Sequence, residues 1–571
     1  MRTYWAAMAG DDGQASGEQQ PPPLRHRLCT ILFVLVVLGL LAFTTRLWPM
    51  HISTLPFNND GLTECRIASD ILAWGSLEYP STAFYFNTHS VVTPSFNVLL
   101  AYVSSAVGVP PLYISQMVVA VVSIVTILGT YLLAKQITGS AKGGIAAAVF
   151  IALLGTAAFV TGSAWKESLG YALMVLFFYA YANRSDIRFL VLEILLLLTI
   201  PLVHHLVTAV VYIALGYLTL WSLYFAAKTR AWRPRHLTEL LVFVVTSTIT
   251  YSYYSLNSLD KLGYVSGYQD VLKIAAVFLG FLLLAVVALG PKRYVKWTLA
   301  PIPGVAIVAF VLWDYVNPVF PYIPNATDFV IILMLCTGAL VSAAWFGFEE
   351  LLNSRLLLRA VPLGMLLPAV TLMTFALLSG FSIQSHQLVY RTFDFADLAL
   401  AMGVGMTVAH LARKPRAEWL VVVTVMAALL LTFPFAYETS ALLGERHDTQ
   451  EYEVDAVEWL EYAAGSDSML QSDERISYIA MAISGFGKMP YLPSRIMDSG
   501  FLGEGAFYML ETEWTTVGVS DYPDGYLVLN GTEVALIVSS SNVFYVGGPV
   551  SNQIVVFSCT EVGQEAIIGD Y

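Results

Sequence analysis

Four short stretches of this chain combine residue types that can handle a proton or a phosphate. The first is Asn58-Asn59-Asp60-Gly61-Leu62-Thr63-Glu64, where Asp60 follows an apolar run and precedes a helical pattern. A carboxylate at the edge of an apolar segment costs free energy unless something uses it. Asp60 could act as a general base toward a hydroxyl, or cap the following helix with Glu64 one turn on; the two roles are compatible. The second stretch is Trp165-Lys166-Glu167-Ser168. Lys166 can hold a phosphate as a point charge, with Glu167 orienting it or holding an acceptor. The plainer alternative is a snorkelling lysine paired with the neighbouring acid. The third is His204-His205 after Pro201. Adjacent helical positions diverge by about 100°, so the two do not ligate one metal together; one of them faces a site, as a phosphate donor or an interface residue, and spacing does not say which. The fourth runs Ser385-His386-Gln387-Leu388-Val389-Tyr390-Arg391-Thr392-Phe393-Asp394. The planar guanidinium of Arg391 suits a pair of phosphate oxygens, with His386 and Tyr390 beside it, or it pairs with Asp394 at the surface.

The elements that must position these residues are membrane helices. Of 571 residues 57 % are hydrophobic and only 12 % charged, with a mean hydropathy of +0.67, which excludes a water-soluble globule. Residues 1–27 lack apolar periodicity and read as a disordered cytoplasmic lead. An uncleaved first span runs Leu28–Phe43, with Arg46 and Trp48 as interfacial anchors. Further spans are expected at Ile114–Leu133, Ile145–Thr161, Leu169–Tyr181, Phe189–Leu202, Leu206–Tyr224, Leu240–Tyr254, Leu272–Leu289, Leu299–Val316, Phe329–Phe348, Leu357–Leu378, Phe395–Leu411 and Trp419–Tyr437. That makes about 13 spans, an odd number, with the two termini on opposite sides. Asp314 and Glu193, near the ends of their spans, read as structural.

Charge sets the sidedness. Residues 438–571 carry 21 acidic and 4 basic residues against 20 and 25 in the rest, balances of −17 and +5. With the N-terminus inside, 19 of those 25 basic residues fall in cytoplasmic segments, leaving Arg46, Arg66, Lys166, Lys261, Lys273 and Arg391 outside. This is the positive-inside pattern. The four chemically interesting stretches then share the exterior face. The acidic tail lies there too, and its charge disfavours nucleic acid as a partner.

The first exterior loop, residues 46–113, is far longer than the usual connection between packed helices. Within it Leu62, Cys65, Ala68, Ile71 and Leu72 recur at helical spacing, and Phe96–Val109 is too short to span, so both are expected as helices in the membrane surface. In the tail a helix around Val454–Ala463 precedes strand-like runs at Tyr526–Leu529, Val534–Ser539, Val543–Val546 and Ile554–Phe557, which predict a mixed α/β exterior domain. Cys65 and Cys559 both face an oxidising exterior, where a bridge between them is open. Asn325-Ala-Thr and Asn530-Gly-Thr are glycosylation sequons. The sequence holds no CxxC, HExxH or P-loop motif and no internal repeat.

A first membrane helix, an exterior acidic residue and an amphipathic surface helix with Gly75 and Tyr79-Pro80 are followed by a loop ending at Pro94. This layout resembles the GT-C glycosyltransferases, the integral-membrane enzymes that take sugars from polyprenyl-phosphate carriers. They include protein mannosyltransferases, aminoarabinose transferases and oligosaccharyltransferases. The stretch Asn59-Asp60-Gly61 through Ala73-Trp74-Gly75 carries the likeness, which covers roughly the first half of the chain and the overall layout. It implies a polytopic helical domain over residues 28–437 and a C-terminal exterior domain over 438–571. It further implies Asp60 as the catalytic carboxylate, a His in the third exterior turn, and Tyr390-Arg391 beside the carrier phosphate. The implied reaction is inverting transfer of a sugar from a polyprenyl-phosphate donor to a glycan, protein or lipid acceptor. Family members often carry several acids in the second loop; Glu167 alone stands there, so no cofactor is required and a divalent metal stays open. The rivals are a polytopic transporter, an oligosaccharyltransferase-like enzyme moving a whole glycan, and a non-catalytic envelope protein. Oligosaccharyltransferases carry Trp-Trp-Asp-Tyr-Gly in the tail, which Glu513-Trp514-Thr515 and Ser520-Asp521-Tyr522-Pro523-Asp524-Gly525 do not reproduce.

Overall fold

The structure, a computed structural model, describes residues 24–77, 92–230, 232–257, 268–288, 302–316, 328–353, 360–379, 383–412, 414–437, 446, 448–465, 468–484, 487–489, 492–493, 506–516, 518–521, 525–550 and 552–558. The apolar runs become helices: α1 (Leu24–Arg46), α2 (Asn59–Trp74), α3 (Ser95–Val107), α4 (Pro111–Thr138), α5 (Ala141–Leu153), α6 (Gly155–Gly162), α7 (Lys166–Asn183), α8 (Ile187–Thr199) and α9 (His205–Thr229). They continue with α10 (Pro234–Leu256), α11 (Tyr268–Ala288), α12 (Ile302–Val316), α13 (Asp328–Asn353), α14 (Ala360–Leu378), α15 (Ile383–Leu411) and α16 (Pro415–Thr432). Local chemistry sets their starts. Proline stands first in α4, α10 and α16, where its missing N–H is not needed, and the Asp186 side chain caps α8 by accepting from the Arg188 N–H at 3.0 Å.

Each expected span overlaps helix among the described residues, but the expected number of about 13 is not reached by length and composition. Among the described residues seven helices are long and apolar enough to cross a membrane, or eight if α5 and α6 are one bent span. α8, at 13 residues, is about 20 Å long, short of a hydrocarbon core of about 30 Å. The outer faces are apolar as lipid contact requires: Leu32 and Phe33 on α1 and Leu283 and Leu284 on α11 are exposed. The protein is a multi-pass membrane protein. Inside the bundle α13 and α15 meet through glycines; a Cβ on Gly347 would clash with the Gly403 carbonyl oxygen, the close approach that small residues allow in membranes.

Two expectations about this region are corrected. Ile145–Thr161 is not one straight span, because the chain turns by 69° between α5 and α6. Leu154, with φ −66° and ψ 127°, breaks the helical hydrogen bonding. Arg46 is not an interfacial anchor either, being fully buried. Its Nη2 donates to the Ile151 carbonyl at 2.9 Å and to Thr161 Oγ1 at 2.7 Å, its Nε to Thr161 Oγ1 at 3.0 Å, and its Nη1 to Thr45 Oγ1 at 2.8 Å and to the Ala152 carbonyl. The last carbonyls of α5 have no partner within the helix, and a cation at a helix C-terminus complements its dipole. Arg46 therefore completes the break, and Gln116 ties the same knot by donating to the Arg46 carbonyl at 2.8 Å and the Gly162 carbonyl at 2.7 Å.

The tail is a mixed α/β unit. Its helices are α17 (Glu451–Ala464), α18 (Glu474–Ser484) and α19 (Gly531–Ser539). Its strands are β1 (Met469–Gln471), β2 (Gly487–Met489), β3 (Phe507–Glu511), β4 (Val519–Asp521), β5 (Gly525–Leu527), β6 (Asn542–Gly547) and β7 (Ile554–Ser558). One sheet has the order β2-β1-β3-β7-β6, with β1 parallel to β2 and β3, and β7 antiparallel to β3 and β6; β4 and β5 form a small hairpin. The run expected as a strand at Val534–Ser539 is α19. Its β-branched residues suit a strand, but Asn530 accepts from the Thr532 N–H at 2.9 Å and starts a helix. Cys65 is a free buried thiol donating to the Pro111 carbonyl at 3.4 Å, so it makes no bridge; burial pushes it up to about 12. Cys559, Asn325 and Thr327 lie outside the described residues.

Beneath the sheet Arg475 pairs with Glu453 at 2.7 Å and with Glu511, while Arg446 reaches Glu513 at 3.3 Å and Glu511 at 3.5 Å and also pairs with Glu453. Burial raises Asp473 to about 7 against the pull of Arg475, whereas Arg475 and Arg446 hold Glu511 below its ordinary value despite burial. The raised Asp473 contributes stability that is complete below its unfolded value of about 3.9 and lost as pH rises through about 7. Glu511 contributes stability present above about 4.3 and lost below it. Thermal melting of the tail, followed by a tail-specific tryptophan signal, is therefore expected to be highest near about pH 4 to 4.5 and to fall toward pH 7; a maximum above pH 8 contradicts this balance.

Candidate functional site

Asp60 is the second residue of α2, and it is not the cap. Asn58, held at φ 87°, caps the helix by accepting from the Asp60 N–H at 3.0 Å. The Asp60 side chain is thereby released from capping at the positive end of the helix dipole. One turn on, Glu64 is buried; its carboxylate accepts from Asn97 of α3 and pairs with Lys166 at 3.5 Å. Burial pushes the Glu64 carboxyl up, Lys166 and Asn97 pull it back, and the Asp60 charge adds to the push.

Lys166 is 8 % exposed and so does not snorkel; it reaches inward to Glu64 and to Thr93 Oγ1 at 3.4 Å instead of pairing with its neighbour in sequence. Glu167 is 1 % exposed, and neither of its carboxylate oxygens has a hydrogen-bond partner among the described residues. It lies within the fields of Arg391 and Asp60. The Arg391 guanidinium sits 5.8 Å from the Trp165 ring centre, a cation–π distance. His204 caps α9 through Nδ1, which accepts from the Val207 N–H at 3.3 Å, and stacks on His205 at 4.9 Å. His204 is the more buried of the pair and feels the charges of both Lys166 and Arg391.

The stretch Ser385–Asp394, ahead of the expected span Phe395–Leu411, is already helical, since α15 starts at Ile383. His386 and Tyr390 lie on that helical backbone, with side chains outside the described residues. Asp60, Lys166, Glu167, His204 and Arg391 are thus brought together at one end of the bundle by α2, α7, α9 and α15. Sequence reading gave no site role to three contributors. Glu64 carries the ion pair to Lys166. Asp394 is buried, with Oδ2 unpartnered among the described residues, and interacts electrostatically with Glu167, Asp397 and Arg391. Asp397 accepts from Thr156 of α6 at 2.5 Å. Glu64 and Asp394 were visible as acids one turn from Asp60 and Arg391; Asp397 had no local signal. Asp60 and Glu167 are the carboxylates that could hold a divalent cation, but no group of three or more His, Cys, Asp or Glu suited to a metal occurs among the described residues.

No family model and no curated protein matches the chain. Solved structures do. The apo oligosaccharyltransferase of Archaeoglobus fulgidus superposes with a TM-score of 0.56 at 12 % identity, covering 91 % of this chain and 80 % of that one. The chain has a GT-C-like fold. The archaeal oligosaccharyltransferase AglB from Archaeoglobus fulgidus, in complex with an inhibitory peptide and a dolichol-phosphate, gives a TM-score of 0.51 at 12 % identity over 94 % of this chain and 75 % of that one. The GT-C-like architecture therefore extends across the helical bundle and the tail, beyond the first half of the chain that carries the resemblance in sequence.

Proposed function

We propose that the protein is a membrane glycosyltransferase transferring a sugar from a polyprenyl-phosphate carrier to an acceptor hydroxyl on the exterior face. The observation that carries the reading is the meeting of one cap-free carboxylate, Asp60, with Lys166, Arg391 and His204 at a single end of the bundle. The GT-C-like fold, and a neighbour of that fold holding a dolichol-phosphate, support the choice of donor. In the proposed step the acceptor oxygen attacks the anomeric carbon while its proton passes to Asp60. The bond from that carbon to the phosphate oxygen breaks, and the charge gathering on the departing polyprenyl phosphate is offset by Arg391, Lys166 and His204. A single displacement inverts the anomeric centre. Glu167, buried within the fields of Asp60 and Arg391 and with no partner for either carboxylate oxygen among the described residues, is placed to hold the acceptor. The acidic tail and the C-terminus lie on the same exterior side as the reaction, and the N-terminus in the cytoplasm.

The neighbours' own activity favours one further reading, transfer of a whole glycan from such a carrier. Both are tested by incubating the purified full-length protein with labelled dolichyl-phosphate hexoses and dolichyl-linked oligosaccharides, with glycoside and peptide acceptors. Transfer of single hexoses supports the first reading, transfer of whole glycans alone supports the second, and no transfer from either donor removes both. Arg391→Ala is expected to raise the donor KM about 10- to 100-fold, the size of a lost charge-assisted contact. Arg391→Lys, which keeps the charge but not the planar fork, should recover part of it. An unchanged donor KM in Arg391→Ala excludes the phosphate contact.

A further inference from the structure

Trp165 joins the break at Leu154 to the site. It is the N-cap residue of α7 but makes no capping bond with its side chain. Its indole Nε1 donates instead to the Val160 carbonyl at 2.8 Å, in the last turn of α6. Carbonyls in that turn lack partners within the helix. The Ser168 hydroxyl lies 2.8 Å from the same carbonyl and 2.6 Å from that of Ser163, so the whole elbow between α6 and α7 is tied down. Phe159 meets the indole edge to face, with ring centres 5.6 Å apart and planes at 83°, and the Trp165 side chain is buried. A ring pinned through its N–H and packed against a second ring has one settled orientation. In that orientation the Arg391 guanidinium of α15 lies over it, 5.8 Å from its centre.

The kind of support matters for what Arg391 can do. A carboxylate that held the guanidinium would accept its N–H groups, the same groups that a phosphate takes. An aromatic face attracts the cation through the ring quadrupole and accepts no hydrogen bond from the planar fork. The attraction is also worth more in a desolvated site than at a surface. A long arginine side chain gives up rotamer freedom when it binds an anion, and a neighbour that holds it beforehand removes part of that cost. A rigid, buried indole against Arg391 is therefore suited to fix where the charge sits without competing for the donors that recognise phosphate oxygens.

We propose that Trp165 is the positioning residue for Arg391, its indole face holding the guanidinium where the carrier phosphate binds. The assignment rests on the transferase reading above. Its test uses the full-length protein in lipid nanodiscs, with dolichyl phosphate as the binding probe and a labelled dolichyl-phosphate hexose as donor. Trp165→Leu is expected to weaken dolichyl-phosphate binding and to raise the donor KM, each about 10-fold, the size of one desolvated cation–π contact, with the acceptor KM unchanged. Ring-fluorinated tryptophans placed at position 165 keep the shape and the indole N–H but drain the ring face of electron density, so binding should weaken with each added fluorine. This series decides by itself if Trp165→Leu does not fold. In the Arg391→Ala background neither change should weaken binding further, because the partner of the ring is already gone. A role confined to closing α6 lowers the melting temperature, gives no fluorine trend and adds its full cost in that background. A fluorine series without a trend, or an undiminished loss for Trp165→Leu beside Arg391→Ala, therefore overturns the assignment and leaves the transferase reading standing. A wild type that neither binds dolichyl phosphate nor transfers from any donor removes that reading and this assignment with it.

Discussion

Asp60→Asn is expected to lower turnover by about 10²- to 10⁴-fold, the usual contribution of a positioned general base, while the protein still folds and binds its donor. The separation of effects follows from Asn58. Because the Asn58 side chain already accepts from the Asp60 N–H, the start of α2 does not depend on the carboxylate. The substitution removes a charge at a helix N-terminus, worth about 0.3–1 kcal/mol, and keeps the shape of the side chain. Glu64, one turn on, is engaged with Lys166 and Asn97 and is not free to replace the lost base. Single-turnover transfer from a labelled dolichyl-phosphate hexose, read beside donor binding and thermal melting, checks this. Undiminished turnover in Asp60→Asn eliminates Asp60 as the base, and an equal loss of donor binding makes it a binding group instead.

Arg46→Ala is expected to be the most destabilising single change in the bundle. The guanidinium meets the Ile151 and Ala152 carbonyls, Thr161 and Thr45 with no solvent to replace it. Removing one partner from a buried charged network costs about 3–5 kcal/mol, and the carbonyls left at the end of α5 add desolvation of about 1–3 kcal/mol each. The damage reaches the site, because α6 leads through Ser163 and Ala164 into Trp165, Lys166 and Glu167. Arg46→Lys supplies three donors in place of five and should recover only part of the stability. Yield and melting temperature of the detergent-purified protein measure the effect; wild-type values for Arg46→Ala would falsify the role of Arg46 as the tie across the helix break.

Much of the fold was legible because a membrane forces the backbone to satisfy itself, so long apolar runs become helices whatever their neighbours. The break at Leu154 was not legible. Ile145–Thr161 is apolar apart from Thr156 and Thr161 and contains no proline, and only a partner from α1 makes its unpaired carbonyls tolerable. Arg46 was misread for the matching reason: a charge at the end of a span looks interfacial until the structure shows what it faces. Val534–Ser539 shows local propensity overruled by a cap, since Asn530 commits the following residues to a helix. At the site, residue types were readable but pairings were not. Lys166 adjoins Glu167 in sequence, yet successive side chains on a helix point about 100° apart, and its ammonium goes to Glu64.

The sequence by itself determined the class of molecule, the helical segments and the short roster of charged residues left near their ends. Hydropathy and charge placement are properties of composition along the chain, and lipid and water read them segment by segment. Tertiary structure alone decided which of those charges meet. It buried Arg46 in the α5–α6 break, turned Lys166 toward Glu64, buried Asp394 near Glu167 and packed the tail helix α18 against the helix of Asp60. Such contacts depend on how helices far apart in the chain pack and rotate against one another, and no local pattern encodes that rotation.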